Sequence, residues 1–333
     1  MGKILITGIN GFIGSNLAHY FIEKGFIVYG TIRSKSNLSL LEDLNVNTII
    51  CDLNEIKEEV FPDDFDYIIH CAAAVSDFIS EQKAKKNIYQ VTVNLYEKVI
   101  KMQKSIKKLI YISTSLILGY KKLNISINNP GLPLKKNYYV YYKKMSEDYI
   151  IKNCQNDRFV YTILRPADVY GPKDRTSCIY ILKAIENGFP VIVGKGNFLF
   201  PYCSTKTLCE ATYNSILFKE SDNKIYTVTS GISITWREFF TYFQNRFKKP
   251  QKIYIPIILA KIVAFILITL HRLIPSFQPS LTPYRISRIT SNTSYDITET
   301  IKDLKISIDN DYKGDLEQIY LWYIKNKCNS KYY

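Results

Sequence analysis

Lys3-Ile4-Leu5-Ile6-Thr7-Gly8-Ile9-Asn10-Gly11-Phe12-Ile13-Gly14 is an apolar strand that runs into three glycines spaced three apart and then into a helix-like segment. A turn with so little side-chain bulk lets the backbone approach a pyrophosphate. The N-terminus of the helix behind it offers unpaired N–H groups and the positive end of a dipole. Gly8 and Gly11 supply the tight turn and the close approach, and Gly14 lets the helix pack on the strand. The triplet lies between a strand signal, Lys3–Thr7, and an amphipathic stretch, Phe12–Lys24, which is the setting a dinucleotide site requires.

Strand and helix signals alternate outward from this motif. Ile27–Ile32, Thr48–Cys51, Tyr67–Cys71, Lys108–Ser113 and Tyr161–Arg165 are short apolar or β-branched runs. Between them Phe12–Lys24, Ile88–Gln103 and Tyr142–Asn153 carry helical periodicity. The alternation predicts an α/β fold, a doubly wound parallel sheet with helices on both faces and ligands beyond the C-terminal strand ends. After Arg165-Pro166 the rhythm loosens. Lys173–Gly188 and Thr205–Phe218 read as helices, and Val191–Val193 and Ile225–Thr229 as short strands. Thr235 with Glu238 reads as a capping box, and Asp315–Lys327 as a closing amphipathic helix. The expected division is a nucleotide-binding domain over 1–170, with 202–230 returning to it, and a smaller interleaved α/β substrate domain from 171–201 and 231–330.

The chain is 333 residues long with a formal net charge of +14. That excess of cations raises nucleic acid or an anionic membrane as partners. The lysines are scattered among Ile, Asn and Tyr, without an arginine-rich run, so the expectation is no nucleic acid. Seven cysteines form no Cys-x-x-Cys pair and the three histidines are far apart, which argues against a metal site and for a reducing, cytoplasmic setting. The first apolar run is the nucleotide-binding strand, so no signal peptide is expected. Ile255–Leu270 is almost wholly apolar, interrupted by Pro256, Lys261 and Thr269. It is shorter than the roughly 20 residues a spanning helix needs. The expectation is a buried helix of the second domain, with Lys261 at the surface or on a carboxylate. The alternative is a helix lying weakly on the inner face of a membrane.

Tyr139-x-x-x-Lys143 puts a phenol and an ammonium on one helix face, where a nearby cation favours phenolate. In a chain with 27 tyrosines the same spacing recurs at Tyr20/Lys24, Tyr202/Lys206 and Tyr323/Lys327. Context selects Tyr139, which alone follows a strand ending in hydroxyls, Ser113-Thr114-Ser115. Glu147, a further turn along, is placed to hold Lys143.

These features together resemble an extended short-chain dehydrogenase/reductase of the epimerase/dehydratase kind. The matches run in order. They are Gly8-x-x-Gly11-x-x-Gly14, Asp52-Leu53, His70-Cys71-Ala72-Ala73, Asn94, Ser113-Thr114-Ser115 with Gly119, Tyr139-x-x-x-Lys143, Leu164-Arg165-Pro166 and Tyr170-Gly171-Pro172. The resemblance implies a Rossmann-type fold and an NAD(P)-dependent oxidoreductase or sugar epimerase. Tyr139 is then the proton donor or acceptor, Lys143 the residue that holds the nicotinamide ribose, Thr114 the catalytic hydroxyl with Ser115 as substitute, and Asn94 a further catalytic residue. Cofactor contacts fall on Gly8, Asn10, Gly11, Phe12, Ile13, Gly14, Arg33, Asp52, Leu53, Ala72, Ala73, Lys143 and Pro166. The second strand ends Gly30-Thr31-Ile32-Arg33-Ser34-Lys35, with no acid for the ribose hydroxyls and with Arg33 able to pair a 2′-phosphate, so NADP(H) is expected over NAD(H).

Substrate evidence is divided. The resemblance implies a nucleotide-activated sugar, a keto reductase or epimerase of surface-polysaccharide biosynthesis, and leaves a homodimer open. But Asp168 stands two residues before Tyr170 where many nucleotide-sugar members carry Asn. Phe200-Pro201 follow Gly194–Gly196 where many carry Arg-Asp, and Val140 and Tyr142 are larger than usual. Ile255–Leu270 and Pro279–Pro283 are similar to segments of hydroxysteroid- and flavanol-type reductases, which makes an apolar alcohol or ketone the alternative substrate. A nucleotide-sensing protein without turnover is the third reading, and an intact Thr114/Tyr139/Lys143 set argues against it.

Overall fold

β1 (Lys3–Thr7) turns at Gly8 into α1 (Phe12–Glu23), and the same strand–helix rhythm then builds the sheet. The computed structural model describes all residues except 1, 58–59, 135–136, 155–157, 176, 251–253, 275–276, 278, 280, 309–310 and 329–333. β2 (Ile27–Ile32), β3 (Asn47–Ile50) and β4 (Tyr67–His70) lead to α2 (Glu81–Ala84), a π-helical turn over 85–90 and α3 (Val91–Lys98). β5 (Lys108–Ile112), α4 (Tyr138–Cys154), β6 (Val160–Pro166) and β7 (Asp168–Tyr170) follow. Then come α5 (Cys178–Glu186), β8 (Leu199–Phe200), β9 (Tyr202–Ser204), α6 (Thr205–Leu217) and β10 (Lys224–Val228). The chain closes with β11 (Ile234–Thr235), α7 (Trp236–Arg246), α8 (Ile257–Leu273), α9 (Pro283–Ile289), α10 (Thr298–Leu304) and α11 (Tyr312–Asn326).

Seven strands form one sheet in the order β10-β6-β5-β4-β1-β2-β3, and every pairing is parallel. The order reverses between β1 and β4, so the crevice at their C-terminal ends is the ligand position of a doubly wound sheet. One core fills the face under α1 and α6 with Ile4, Ile6, Leu17, Phe21 and Leu208. The opposite core joins Leu5, Ile68, Leu95, Tyr96 and Ile163 under α3 and α4. Near-continuous apolar strands are what a sheet covered on both faces demands.

Beyond the sheet, β7 pairs with β9 and β8 with β11. These short pairs and α5, α7 and α11 enclose an aromatic core of Tyr170, Phe200, Tyr202, Trp236, Phe239 and Phe243. Phe200 and Trp236 stack at 4.0 Å between centroids. The expected capping box is present, with Thr235 and Glu238 satisfying each other's backbone at the start of α7.

Four expectations are corrected. Val191–Val193 is not a strand; Val193 makes an isolated bridge to Ile255. The single helix expected over Ile88–Gln103 is divided into π, α and 3-10 segments. α4 begins at Tyr138, four residues earlier than its apolar periodicity suggested, because a run of tyrosines hides the amphipathic pattern. The fourth concerns the apolar segment. α8 is not a buried helix, since only Ala260 and Ala264 are buried while most of its large side chains face outward. Lys261 lies at the surface, as expected. Among the described residues no helix is long and apolar enough to cross a membrane.

Candidate active site

The glycine turn is built as its spacing implied. Gly8 has φ +67°, and a Cβ there would lie 3.0 Å from the Ala72 backbone, so any other residue would be strained and crowded. A Cβ on Gly14 would lie 2.3 Å from the Gly8 carbonyl oxygen. Gly14 therefore packs the helix against the turn itself, more than against the strand behind it. Gly11 is the N-cap of α1, no side chain caps that end, and the first turn holds no acid. The leading N–H groups, those of Phe12 and Ile13 among them, are thus presented toward the crevice. The Thr7 hydroxyl steadies the facing loop. It accepts from the Cys71 and Ala72 amides, 3.2 Å each, and donates to His70 Nδ1 at 2.7 Å. Thr92 donates to the Ile88 carbonyl, so its oxygen accepts the His70 Nε2 proton, at 3.0 Å. Burial, with the Lys143 charge, pushes the His70 pKa down to about 3, and the ring stays neutral.

At the ends of β2 and β3 lies a cleft of about 480 Å³, lined by Asn10, Arg33, Ser34, Lys35, Ser36, Asn37, Ile50, Cys51 and Asp52. Asp52 caps its own turn, accepting from the Asn54 amide at 2.9 Å. Leu53 is buried beneath it. Asn94, expected with the catalytic residues, bonds elsewhere. Its amide nitrogen donates to the Leu53 carbonyl at 2.9 Å, and its oxygen accepts from Gln90 at 2.8 Å. It therefore ties α3 to the loop of the cleft. Pro166 ends β6 opposite Val228.

The glycine cradle, the uncapped helix N-terminus and a cleft with cationic and hydroxyl side chains at its far end together fit a dinucleotide. The fit is stereochemical at Gly8 and Gly14, where a Cβ would fill the space the turn leaves open.

Thr114 stands just past the end of β5, and Tyr139 and Lys143 lie one turn apart on α4. Tyr139 is half-buried. Burial pushes its phenol up to about 12, and a hydrogen bond from Thr114 opposes the shift. The expectation that Lys143 holds the phenol low is not met. The Lys143 ammonium donates to the Ile112 carbonyl at 2.7 Å and sits 4.6 Å over the Tyr111 ring. Burial lowers it to about 8. Desolvation therefore dominates both groups. Glu147 does not bond Lys143 either. It accepts two bonds from Arg165, 2.9 Å from Nε and 2.6 Å from the terminal nitrogen, and the pair is buried. Glu147 reaches Lys143 only through its charge.

The three competing tyrosines are structural. Tyr20 packs edge-on against Tyr213, Tyr202 is buried in the aromatic core, and the Tyr323 hydroxyl donates to Glu186.

Sequence reading missed Arg288. It lies on α9, where Thr282 caps the first turn and Pro283 begins it. Its guanidinium donates to both oxygens of Asp168, at 2.5 and 2.6 Å, and to the Tyr284 hydroxyl at 3.2 Å. Burial would lower the guanidinium, but the Asp168 charge outweighs it and holds the pKa well above the usual value. Tyr284 adds to the rise at Tyr139, which puts the Arg288–Tyr284 pair beside the Tyr139 phenol. Tyr295 closes this side by donating to the Gly119 carbonyl at 2.7 Å. Spacing could not reveal Arg288, which reaches the site across 120 residues from Asp168. The one local signal is Tyr284 and Arg288 a helical turn apart.

A family model described as "NAD dependent epimerase/dehydratase family" matches residues 4–228. A "Sterol-4-alpha-carboxylate 3-dehydrogenase, decarboxylating" of Dictyostelium discoideum is 23% identical over 264 residues, covering 75% of this chain and 76% of that protein. A "Putative UDP-glucose 4-epimerase" of Methanocaldococcus jannaschii is 26% identical over 253 residues, covering 71% and 80%. Among solved structures, a UDP-glucuronic acid 4-epimerase from Bacillus cereus in complex with NAD superposes with a TM-score of 0.78. It is 20% identical and covers 97% of this chain and 99% of its own.

Proposed function

The chain belongs to the NAD dependent epimerase/dehydratase family, and we propose that it is an NAD(P)(H)-dependent keto reductase or epimerase of a nucleotide-activated sugar, with Tyr139 carrying the substrate proton. The carrying observation is the catalytic group itself. A phenol and a threonine hydroxyl meet at the end of β5, beside the crevice headed by the glycine turn. When bound, the nicotinamide supplies hydride transfer at the substrate's oxygen-bearing carbon. Tyr139 is protonated across the neutral range and is poised to give its proton to a carbonyl oxygen. Thr114 orients that oxygen and the phenol. Lys143, anchored on the Ile112 carbonyl, keeps a positive charge at the cofactor ribose. Asn94 positions the Leu53 loop.

The cleft cations Arg33 and Lys35, beside Ser34 and Ser36, support NADP(H) over NAD(H). The sheet with its returning segment, 1–170 and 202–230, would hold the cofactor, and 171–201 with 231–330 would close on the substrate. The UDP-sugar relatives support the sugar reading, and Arg288 is a candidate contact for the diphosphate.

A second reading has an uncharged apolar alcohol or ketone as substrate, and one observation favours it. Asp168 already neutralises Arg288, which leaves that guanidinium without a free charge for a diphosphate.

Turnover of purified protein with NADPH or NADH and a panel of UDP- and dTDP-sugars tests the proposal. Tyr139→Phe should reduce kcat by about 10²–10⁴-fold with cofactor affinity unchanged, while Tyr20→Phe, of the same spacing, should leave it intact. Equal losses in the two variants would remove Tyr139 from this role.

A further inference from the structure

α8 combines two properties that a folded surface does not ordinarily hold together. It is apolar, and it is uncovered. Ile258 is 74% exposed, Phe265 65% and Leu273 77%, with Leu259, Ile262 and Ile266 about half exposed. At about 100° per residue these side chains, with Val263, Thr269 and Leu270, occupy one arc of about 160°. Ala260, Ala264 and their neighbours form the opposite arc, which packs on α9 with Val193 and Ile286. Lys261 and Arg272 project together at one edge of the apolar arc, and both are exposed. A contiguous exposed apolar face of this kind marks an interaction surface.

The charge around it says what covers it. Between residues 239 and 295 the sequence has eight lysines and arginines and no aspartate or glutamate. Arg246, Arg285 and Arg288 are paired with Glu317, Asp77 and Asp168, and Lys248, Lys249, Lys252, Lys261 and Arg272 make up the segment's remaining positive surplus. Two copies apposed through this face would bring like charges together. An anionic lipid surface supplies the complementary sign and an apolar phase. A spanning role does not fit, because 17 residues rise only about 26 Å against a hydrocarbon core of about 30 Å.

We propose that α8 lies in the plane of an anionic bilayer surface, its apolar arc among the acyl chains and Lys261 and Arg272 among the headgroups. The docked helix adjoins the active site. α9, on which it packs, carries Arg288 and Tyr284, and the His271 ring meets Phe78 at 4.5 Å on the loop after β4. Arg285 of α9 bonds Asp77 of that same loop at 2.7 Å. Docking therefore sets the mouth of the catalytic crevice near the lipid boundary. This placement does not depend on which substrate the site takes.

Co-sedimentation of the full chain with phosphatidylcholine vesicles, with and without phosphatidylglycerol, tests it. The protein should pellet with the anionic vesicles at least about tenfold more than the paired variant Ile262→Asp/Phe265→Asp. That variant should keep NADPH affinity and melting temperature, which excludes misfolding. Lys261→Glu/Arg272→Glu should remove the preference for anionic over neutral vesicles. Wild-type protein remaining in the supernatant overturns the proposal, as does equal pelleting of wild type and the aspartate pair. A dimer in sizing that the aspartate pair dissolves, without vesicle binding, assigns the face to a second copy and overturns it too.

Discussion

At the residue scale the site is governed by desolvation. Lys143 is lowered to about 8 by burial, so its ammonium is lost as pH rises through that value. Binding of the cofactor ribose should weaken above pH 8, up to about tenfold per pH unit, and Lys143→Met should show a flat, weaker profile. The sign of the stability effect is opposite. Between about 8 and the ordinary 10.5 the unfolded chain holds a proton the folded one lacks, so stability rises with pH in that window. A fall in affinity there is therefore not unfolding; titration of NADPH fluorescence beside a thermal melt at each pH separates the two. Arg33 allows a second residue-scale expectation. A charge-assisted phosphate contact is worth about 1.5–3 kcal/mol, so NADPH should bind roughly ten- to a hundredfold more tightly than NADH, and Arg33→Ala should close that gap. Tighter NADH binding by the unaltered protein would end the NADP reading. Tyr139 and Lys143 were legible in the sequence because their spacing follows from the helix turn, and Thr114 because it stands in the run of hydroxyls that ends an apolar strand. Their electrostatics were not. A sequence shows that a cation is near a phenol, but not that both are out of water or that the ammonium turns to the Ile112 carbonyl.

At the scale of elements, α9 shows how a short helix with little pattern of its own can place a buried charge. α9 is seven residues long and follows a proline-rich stretch, yet it delivers Arg288 to Asp168 at the end of β6 and start of β7. The Asp168 side chain decides what that guanidinium can bind. Asp168→Asn keeps the hydrogen-bonding shape and removes the competing charge. If the natural substrate is uncharged, the unaltered protein should bind UDP weakly and Asp168→Asn should gain at least about tenfold, measured by calorimetry. If a diphosphate already displaces Asp168, the variant should change affinity little. α8 shows the reverse case. Its hydrophobicity was plain, but hydrophobicity alone does not tell a core helix from a surface helix. Only the position of Ala260 and Ala264, small enough for close packing on α9, shows which arc is inward. The alternating β and α signals from Lys3 to Pro166 were legible because strands buried on both faces and helices buried on one each impose their own period.

At the scale of the whole molecule, the C-terminal third is stitched back into the sheet. Leu304 and Ile306 belong to the core under α1 and α6, and Asn214 donates to the Leu304 carbonyl at 2.8 Å. Leu304→Ala should destabilise the protein by about 2–5 kcal/mol. Thermal unfolding should stay a single transition, with cofactor binding lost at the same temperature, because the cavity opens beside β10 in the nucleotide-binding sheet. A separate early transition that spares NADPH binding would show the C-terminal segment unfolding independently. The sequence by itself determined the parallel sheet, the glycine cradle and the Tyr139/Lys143 pair, since each depends on contacts within a few residues or on a repeated period. Tertiary structure alone decided that Arg288 meets Asp168, that Glu147 pairs with Arg165, that Asn94 ties a loop, and that α8 is left uncovered. Those outcomes depend on which distant segments share a face, and no local spacing encodes that.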